Sequence, residues 1–331
     1  MKAEYIILII LGAITLLAAI VALSSYICYR ITFMRKIYGP INPHDALDSE
    51  GIKPYRDEAI RLIAELSATP CEEIRIKSHD GLTLYGRYYK GEPGAPVEIQ
   101  MHGYRSSALR DFSGGALSSL EKGRHLILID QRAHGYSEGR TISFGINERH
   151  DALAWINYVG ERFGKNTPIV LVGLSMGAAT VLMTGGLGLP ENVACIVADC
   201  PYSSPKEIIM RVSRHMGFPA RLVFPFIRLG GILFGHFDVA SDSPIMAAKK
   251  IKTPTVLIHG EADKFVPCYM SESIYEALQT EKKLLVTFPG AAHGVSFLSD
   301  TERYHKTVDP FVEAAIESYK KKTETENESK R

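Results

Sequence analysis

The chain has 331 residues, with 38 Lys and Arg against 37 Asp and Glu, a net charge of +1. That length suits one large domain or two small ones, and a near-neutral charge without a basic stripe interleaved with aromatics gives no reason to expect nucleic acid as a partner. The five cysteines form neither a C-x-x-C pattern nor a disulfide framework. Cys195 and Cys200 fall in one expected strand, too far apart along it to bridge, and all five read as buried or incidental thiols.

Residues 5–29 carry no charge and are mostly Ile, Leu, Ala and Val. A helix of that length crosses the ~30 Å hydrocarbon layer. A cleaved signal peptide has a shorter apolar core and a small-x-small site, and Ala19-Ile20-Val21-Ala22-Leu23 is a poor one. The run therefore reads as an uncleaved single-pass transmembrane anchor, with membrane lipids as its partner. Lys2 is balanced by Glu4 on one side, whereas Arg30, Arg35 and Lys36 lie on the other, which places the C-terminal part in the cytoplasm. Gly12 is the only glycine in the run, so no G-x-x-x-G supports dimerisation, and the oligomeric state stays open.

Residues 30–70 read as a linker, broken at Gly39-Pro40 and Asn42-Pro43, followed by a short docking helix over 54–66. Residues 72–78 and 82–89 alternate apolar and polar around His79-Asp80-Gly81, a hairpin signal. Continuous apolar runs follow at 97–101, 125–129, 169–172, 193–198, 255–258 and 284–288, as expected of parallel strands buried on both faces. Helical segments such as 147–163 and 271–279 lie between them. The fold class is α/β: a mostly parallel eight-stranded sheet opened by an antiparallel hairpin, with helices on both faces, over residues 71–320. Residues 205–246 exceed what one crossover needs and are crowded with apolar side chains such as Ile208, Phe224 and Leu233, which suggests a helical lid. Residues 321–331, rich in Lys, Glu and Thr, read as a disordered charged tail.

Gly173-Leu174-Ser175-Met176-Gly177 stands between an apolar strand and a run of small, helix-compatible residues. In that setting G-x-S-x-G marks a sharp strand-to-helix turn with the serine at its tip. A serine hydroxyl is a poor nucleophile near neutral pH and needs an imidazole to take its proton and a carboxylate to orient that imidazole. Two later strand ends offer both: His259-Gly260-Glu261-Ala262-Asp263-Lys264-Phe265-Val266-Pro267 and Pro289-Gly290-Ala291-Ala292-His293-Gly294. Parallel strands bring their carboxyl ends to one edge, so separation in sequence is no obstacle.

With those segments, together with His102-Gly103-Tyr104 and the loop from Asp130 to Gly139, the chain resembles the α/β-hydrolase superfamily, in particular its serine aminopeptidase/monoacylglycerol-lipase-like branch, over roughly residues 72–318. The resemblance implies an α/β-hydrolase fold with Ser175 as nucleophile, His293 as general base and then acid, and Asp263 as the orienting carboxylate. It also implies an oxyanion hole made by the backbone N–H groups of Tyr104 and Met176. The family more often has glycine where this chain has Ala133, a turn-shaping position. His102, His134, His259 and Asp130 read as structural, and Asp199, at the end of the strand after the elbow helix, is the rival for the carboxylate. No H-E-x-x-H or clustered Cys/His spacing calls for a metal, and no cofactor is expected.

The expected chemistry is acyl transfer to water, with a hydrophobic small-molecule ester or thioester as substrate and the lid's apolar side chains suited to an acyl chain. Alternatives are a serine aminopeptidase-type peptidase, which would need an acidic pocket for the substrate amine, and a non-catalytic interaction module on a hydrolase fold.

Overall fold

A computed structural model describes residues 3–36, 39, 42–44, 47 and 50–329. The chain opens with α1 (Ala3–Thr32) and, after a short 3-10 turn, α2 (Arg56–Ala68). The hairpin β1 (Glu72–Lys77) and β2 (Thr83–Tyr89) is followed by β3 (Val97–Met101), α3 (Ala108–Glu121), β4 (His125–Asp130), α4 (Glu148–Phe163), β5 (Ile169–Leu174), α5 (Met176–Gly185) and β6 (Val193–Asp199). Then come α6 (Pro205–His215), α7 (Ala220–Gly235), α8 (Pro244–Ala248), β7 (Thr255–Gly260), α9 (Tyr269–Ala277), β8 (Lys283–Phe288), α10 (Ser296–Ser299) and α11 (Thr301–Ser329).

The strands form one eight-stranded sheet in the order β1-β2-β4-β3-β5-β6-β7-β8. Only the pairs β1/β2 and β2/β4 are antiparallel, and the rest are parallel. The continuous apolar runs are explained by cover on both faces. Ile99, Ile127, Leu171 and Ile196 face a cluster with Trp155 of α4 and Leu182 of α5. Leu128, Val170, Val197 and Val256 face one with Phe112 of α3 and Val312 of α11. The parallel arrangement brings the carboxyl ends of β3, β5, β6, β7 and β8 to one edge.

The lid region folds as α6, α7 and α8, and its local signals are plain. Ser204 and Ser243 cap α6 and α8 by accepting the N–H groups of Glu207 and Met246, with a proline at the first helical turn in each. Its apolar residues have a different partner from the one expected. Ile208, Ile209, Phe224 and Ile227 share one buried cluster with Tyr29 of α1, Phe33 just beyond it, Phe237, and Met176, Ala179 and Met183 of α5, and it is α7 that α1 packs on. Phe234 meets Tyr26 and Tyr29 with ring centroids 5.1 and 5.9 Å away. Gly230 lets the two helices touch, since a Cβ there would lie 2.3 Å from the carbonyl oxygen of Ser25.

Two expected boundaries shift. The linker does not begin at residue 30: Phe33 is fully buried, Met34 bridges to Thr141, and the Arg35 guanidinium donates to Ser137 O and Gly135 O. The charged tail is helical through Ser329 rather than disordered. Val308, Val312 and Ile316 root α11 in the core, and Lys322 pairs with Glu191 at 2.9 Å, so the polar end extends an established helix. Lys330 and Arg331 lie outside the described residues.

Candidate active site

Ser175 sits between β5 and α5 with φ +55° and ψ −112°, a conformation that side chains other than glycine rarely adopt. Its backbone is held on both sides: its N–H donates to Asp199 O at 2.8 Å, and its carbonyl accepts the N–H of Ala179 at 2.9 Å. The flanking glycines are demanded by contact. A Cβ on Gly177 would lie 1.8 Å from Met101 O, and one on Gly173 would lie 2.3 Å from the Gly177 carbonyl carbon. The sharp turn therefore requires two glycines and a strained serine together.

Ser175 Oγ donates to His293 Nε2 at 2.9 Å, and His293 Nδ1 donates to Asp263 Oδ2 at 2.6 Å. Asp263 is buried in the loop after β7, where its other oxygen accepts the N–H groups of Phe265 and Val266 at 2.9 and 2.8 Å. Burial alone pushes its pKa up, but hydrogen bonds from His259 and His293 and the His293 charge outweigh that and hold it well below the usual carboxylate range. Asp199, the sequence rival, accepts from Ser296 Oγ at 3.2 Å instead. Its burial pushes its pKa up to about 6.

His102, His134 and His259 each hold a loop. His102 Nδ1 donates to Gly103 O, and its Nε2 accepts the N–H of Gln131. His134 Nε2 accepts the N–H of Arg105, and His259 links Ser271 to Val266 O. Burial lowers the pKa of both His102 and His134, so they serve as neutral hydrogen-bond fixtures. Asp130 accepts the N–H of Tyr136, holding its own loop. Ala133, in the place where glycine is commoner, has φ +62°.

The amides assigned by resemblance also lie beside the serine. Met176 opens α5, where N–H groups lack intrahelical acceptors. Tyr104 follows Gly103, on which a Cβ would lie 3.5 Å from Ser175 Cβ. Two features of this loop escaped sequence reading. Asp111, in the first turn of α3, accepts Gly103 N–H at 2.7 Å and Ser106 Oγ–H at 2.5 Å. Beyond it, the loop is fastened to α1: Tyr104 Oη donates to Thr32 O at 2.8 Å, and Arg105 Nη2 donates to Ile31 O at 2.8 Å and Met34 O at 3.1 Å. An acidic residue in a helix's first turn was the only signal for Asp111, and nothing local marked α1 as part of the site.

Ser175, His293, Tyr104 and Phe265 border a cavity of about 290 Å³ that runs between the sheet and α3, α10 and α11. Among the described residues, none between 205 and 246 lines it, so the lid's apolar side chains pack the fold and do not wall the cavity. Two sets of side chains have cation-binding atoms close together, Cys200–Asp263–His293 and His79–Asp80–Asp151. The carboxylates in both are already engaged, Asp263 by His293 and the other two by Arg132.

The fold and this strand-edge arrangement define an α/β hydrolase. Residues 101–243 match the family model for the alpha/beta hydrolase fold, and residues 240–300 match that for the serine aminopeptidases (S33). The chain belongs to the α/β-hydrolase superfamily. It is 25% identical to protein YqkD of Bacillus subtilis over 308 residues, covering 93% of this chain and 97% of the relative. With protein YfhR of Escherichia coli K12 it shares 26% identity over 252 residues, 74% of this chain and 81% of the relative. An esterase of Pyrococcus furiosus has the same fold, with a TM-score of 0.63 at 21% identity over 84% of this chain and 96% of that one.

Proposed function

We propose that the protein is a membrane-anchored serine hydrolase that cleaves carboxylic esters, including thioesters, with a hydrophobic acyl group. The observation that carries this reading is the hydrogen-bonded sequence Ser175–His293–Asp263 at a strained elbow. In the proposed reaction Ser175 Oγ attacks the ester carbonyl carbon while its proton passes to His293 Nε2, and Asp263 steadies the resulting imidazolium. The Tyr104 and Met176 amides receive the oxyanion, each such donor being worth about 2.7–4 kcal/mol. His293 then returns the proton to the departing alkoxide or thiolate, leaving an acyl-serine, and water deacylates it by the same route.

The anchor is assigned to α1. Its 30 residues, about 45 Å of helix, are exposed over most of their apolar length, and Arg30 and Lys36 at its far end favour a cytoplasmic hydrolase domain. A peptidase reading draws on the serine aminopeptidase match over residues 240–300.

The test exposes membranes containing wild type or Ser175→Ala to a fluorophosphonate probe, followed by ester and aminoacyl-anilide turnover. Labelling of the wild type alone, with ester turnover, supports the proposal. Turnover confined to the anilides supports the peptidase, and an unlabelled but folded wild type rejects both.

A further inference from the structure

The cavity does not stop at Ser175. It continues along the strands past Val172 and Val197 to Gln100, Glu98 and Ser119. The sheet register sets the depth: Gln100 pairs with Val172 and Glu98 with Val170. Val172 precedes Ser175 by three positions, so at about 3.3 Å per residue Gln100 lies about 10 Å below the elbow. The walls on the way are mostly apolar, from Val172, Leu174, Val197 and Val308, with Ser113, Ser118 and Asp199 among them. At the lower end, ion pairs Lys122–Asp309 at 2.6 Å and Arg124–Glu313 at 2.5 Å tie the end of α3 to α11 and bar the way out.

The polar floor is nearly complete. Glu98 accepts from Gln100 Nε2 at 2.5 Å, from Ser119 Oγ at 2.9 Å and from Arg124 Nη1 at 2.9 Å. A carboxylate can only accept from Gln100, so the amide must turn its NH₂ group to Glu98 and leave Oε1 on the other side of a residue that lines the cavity. That oxygen is buried without a hydrogen-bond partner, on a residue only 1% exposed. Buried acceptors in folded proteins are paired, so this one calls for a donor supplied from the cavity.

We infer that this inner chamber binds the far end of the substrate's acyl chain, and that the chain carries a hydroxyl group about eight carbons from the ester carbonyl, received by Gln100 Oε1. The inference rests on the proposed ester-hydrolase role of Ser175. A neutral donor fits better than an ammonium group, because Arg124 already balances Glu98. The acyl arm occupies the chamber rather than the alcohol, because the alcohol must depart before water attacks the acyl-serine, and a barred chamber behind the serine gives it no exit. A terminal hydroxyl supplies Oε1 with the donor it lacks, whereas a terminal methyl leaves it unpaired.

The experiment measures kcat/KM of the full-length protein in detergent for p-nitrophenyl acetate, octanoate and 8-hydroxyoctanoate, in wild type and Gln100→Met. Wild type is expected to prefer 8-hydroxyoctanoate over octanoate by about tenfold or more. Gln100→Met is expected to reverse that order, with its circular dichroism spectrum and thermal unfolding reporting on the fold. Equal or better turnover of octanoate by wild type overturns the inference without any variant, and so does a ratio unmoved by Gln100→Met. Acetate turnover without a hydroxyl preference overturns this inference alone, whereas absence of all ester turnover overturns the ester-hydrolase reading with it.

Discussion

At the carboxyl edge of the sheet, contact is mostly hydrogen bond. Asp263 accepts from His293, Phe265 and Val266, Asp111 fixes the Gly103 amide, and three buried histidines each bridge two segments. Where α1 meets α7, contact is mostly carbon on carbon: Tyr26, Tyr29 and Phe33 against Phe234, Phe237 and Ile227. The two kinds of contact fail differently. Removing one member of a buried polar set strands its partners, so single substitutions act all at once, whereas apolar packing loses stability in proportion to what is removed or forced in.

The largest expected effect is at the polar edge. Asp263→Asn should keep the fold, seen as an unchanged circular dichroism spectrum, and lower kcat for p-nitrophenyl acetate by about 10⁴, because the imidazole loses its orienting carboxylate. Retention of activity would mean that Asp199 supplies the carboxylate. Next is Arg132, which binds Asp151 through two nitrogens at 2.6 Å each and Asp80 at 2.9 Å. Arg132→Ala leaves Asp151 buried without its cation and should cost about 3–5 kcal/mol in urea unfolding.

A smaller effect depends on pH. Because burial raises the Asp199 pKa to about 6, the native state keeps a proton that the unfolded chain releases near 4, and stability from this group falls as pH rises between those values. Asp199→Asn should therefore be more stable than wild type by about 2–3 kcal/mol at pH 8, and the gap should close at pH 4. A gap that does not change with pH would place the effect in packing.

The smallest effect belongs to the apolar pair. Gly230→Ala forces a methyl against Ser25 O and should cost about 1–3 kcal/mol in thermal or urea unfolding. If kcat also drops, the two regions are coupled through Tyr104 and Arg105 and do not fail independently.

The same contrast explains what was legible in the sequence. The elbow could be read because its glycines are required by close backbone approach, and the strands because continuous apolar runs imply cover on both faces. Strand ends converging on one edge pointed to the two loops that hold Asp263 and His293, while the choice of those two residues rested on the family resemblance. The lid's partner was illegible: the apolar side chains of α7 say that a face is buried, not that α1 covers it. Asp111 was hidden because an aspartate in a helix's first turn is ordinary. The tail was misread because its composition is polar, while the helix it extends is rooted in the core by residues further up the chain.

The fastening of Tyr104 and Arg105 to carbonyls at and just beyond the end of α1 makes that helix a lever on the site. With its end bolted to the loop beside Ser175, α1 cannot swivel freely against the sheet. A displacement of α1 therefore carries the Tyr104–Arg105 loop with it and arrives beside the serine.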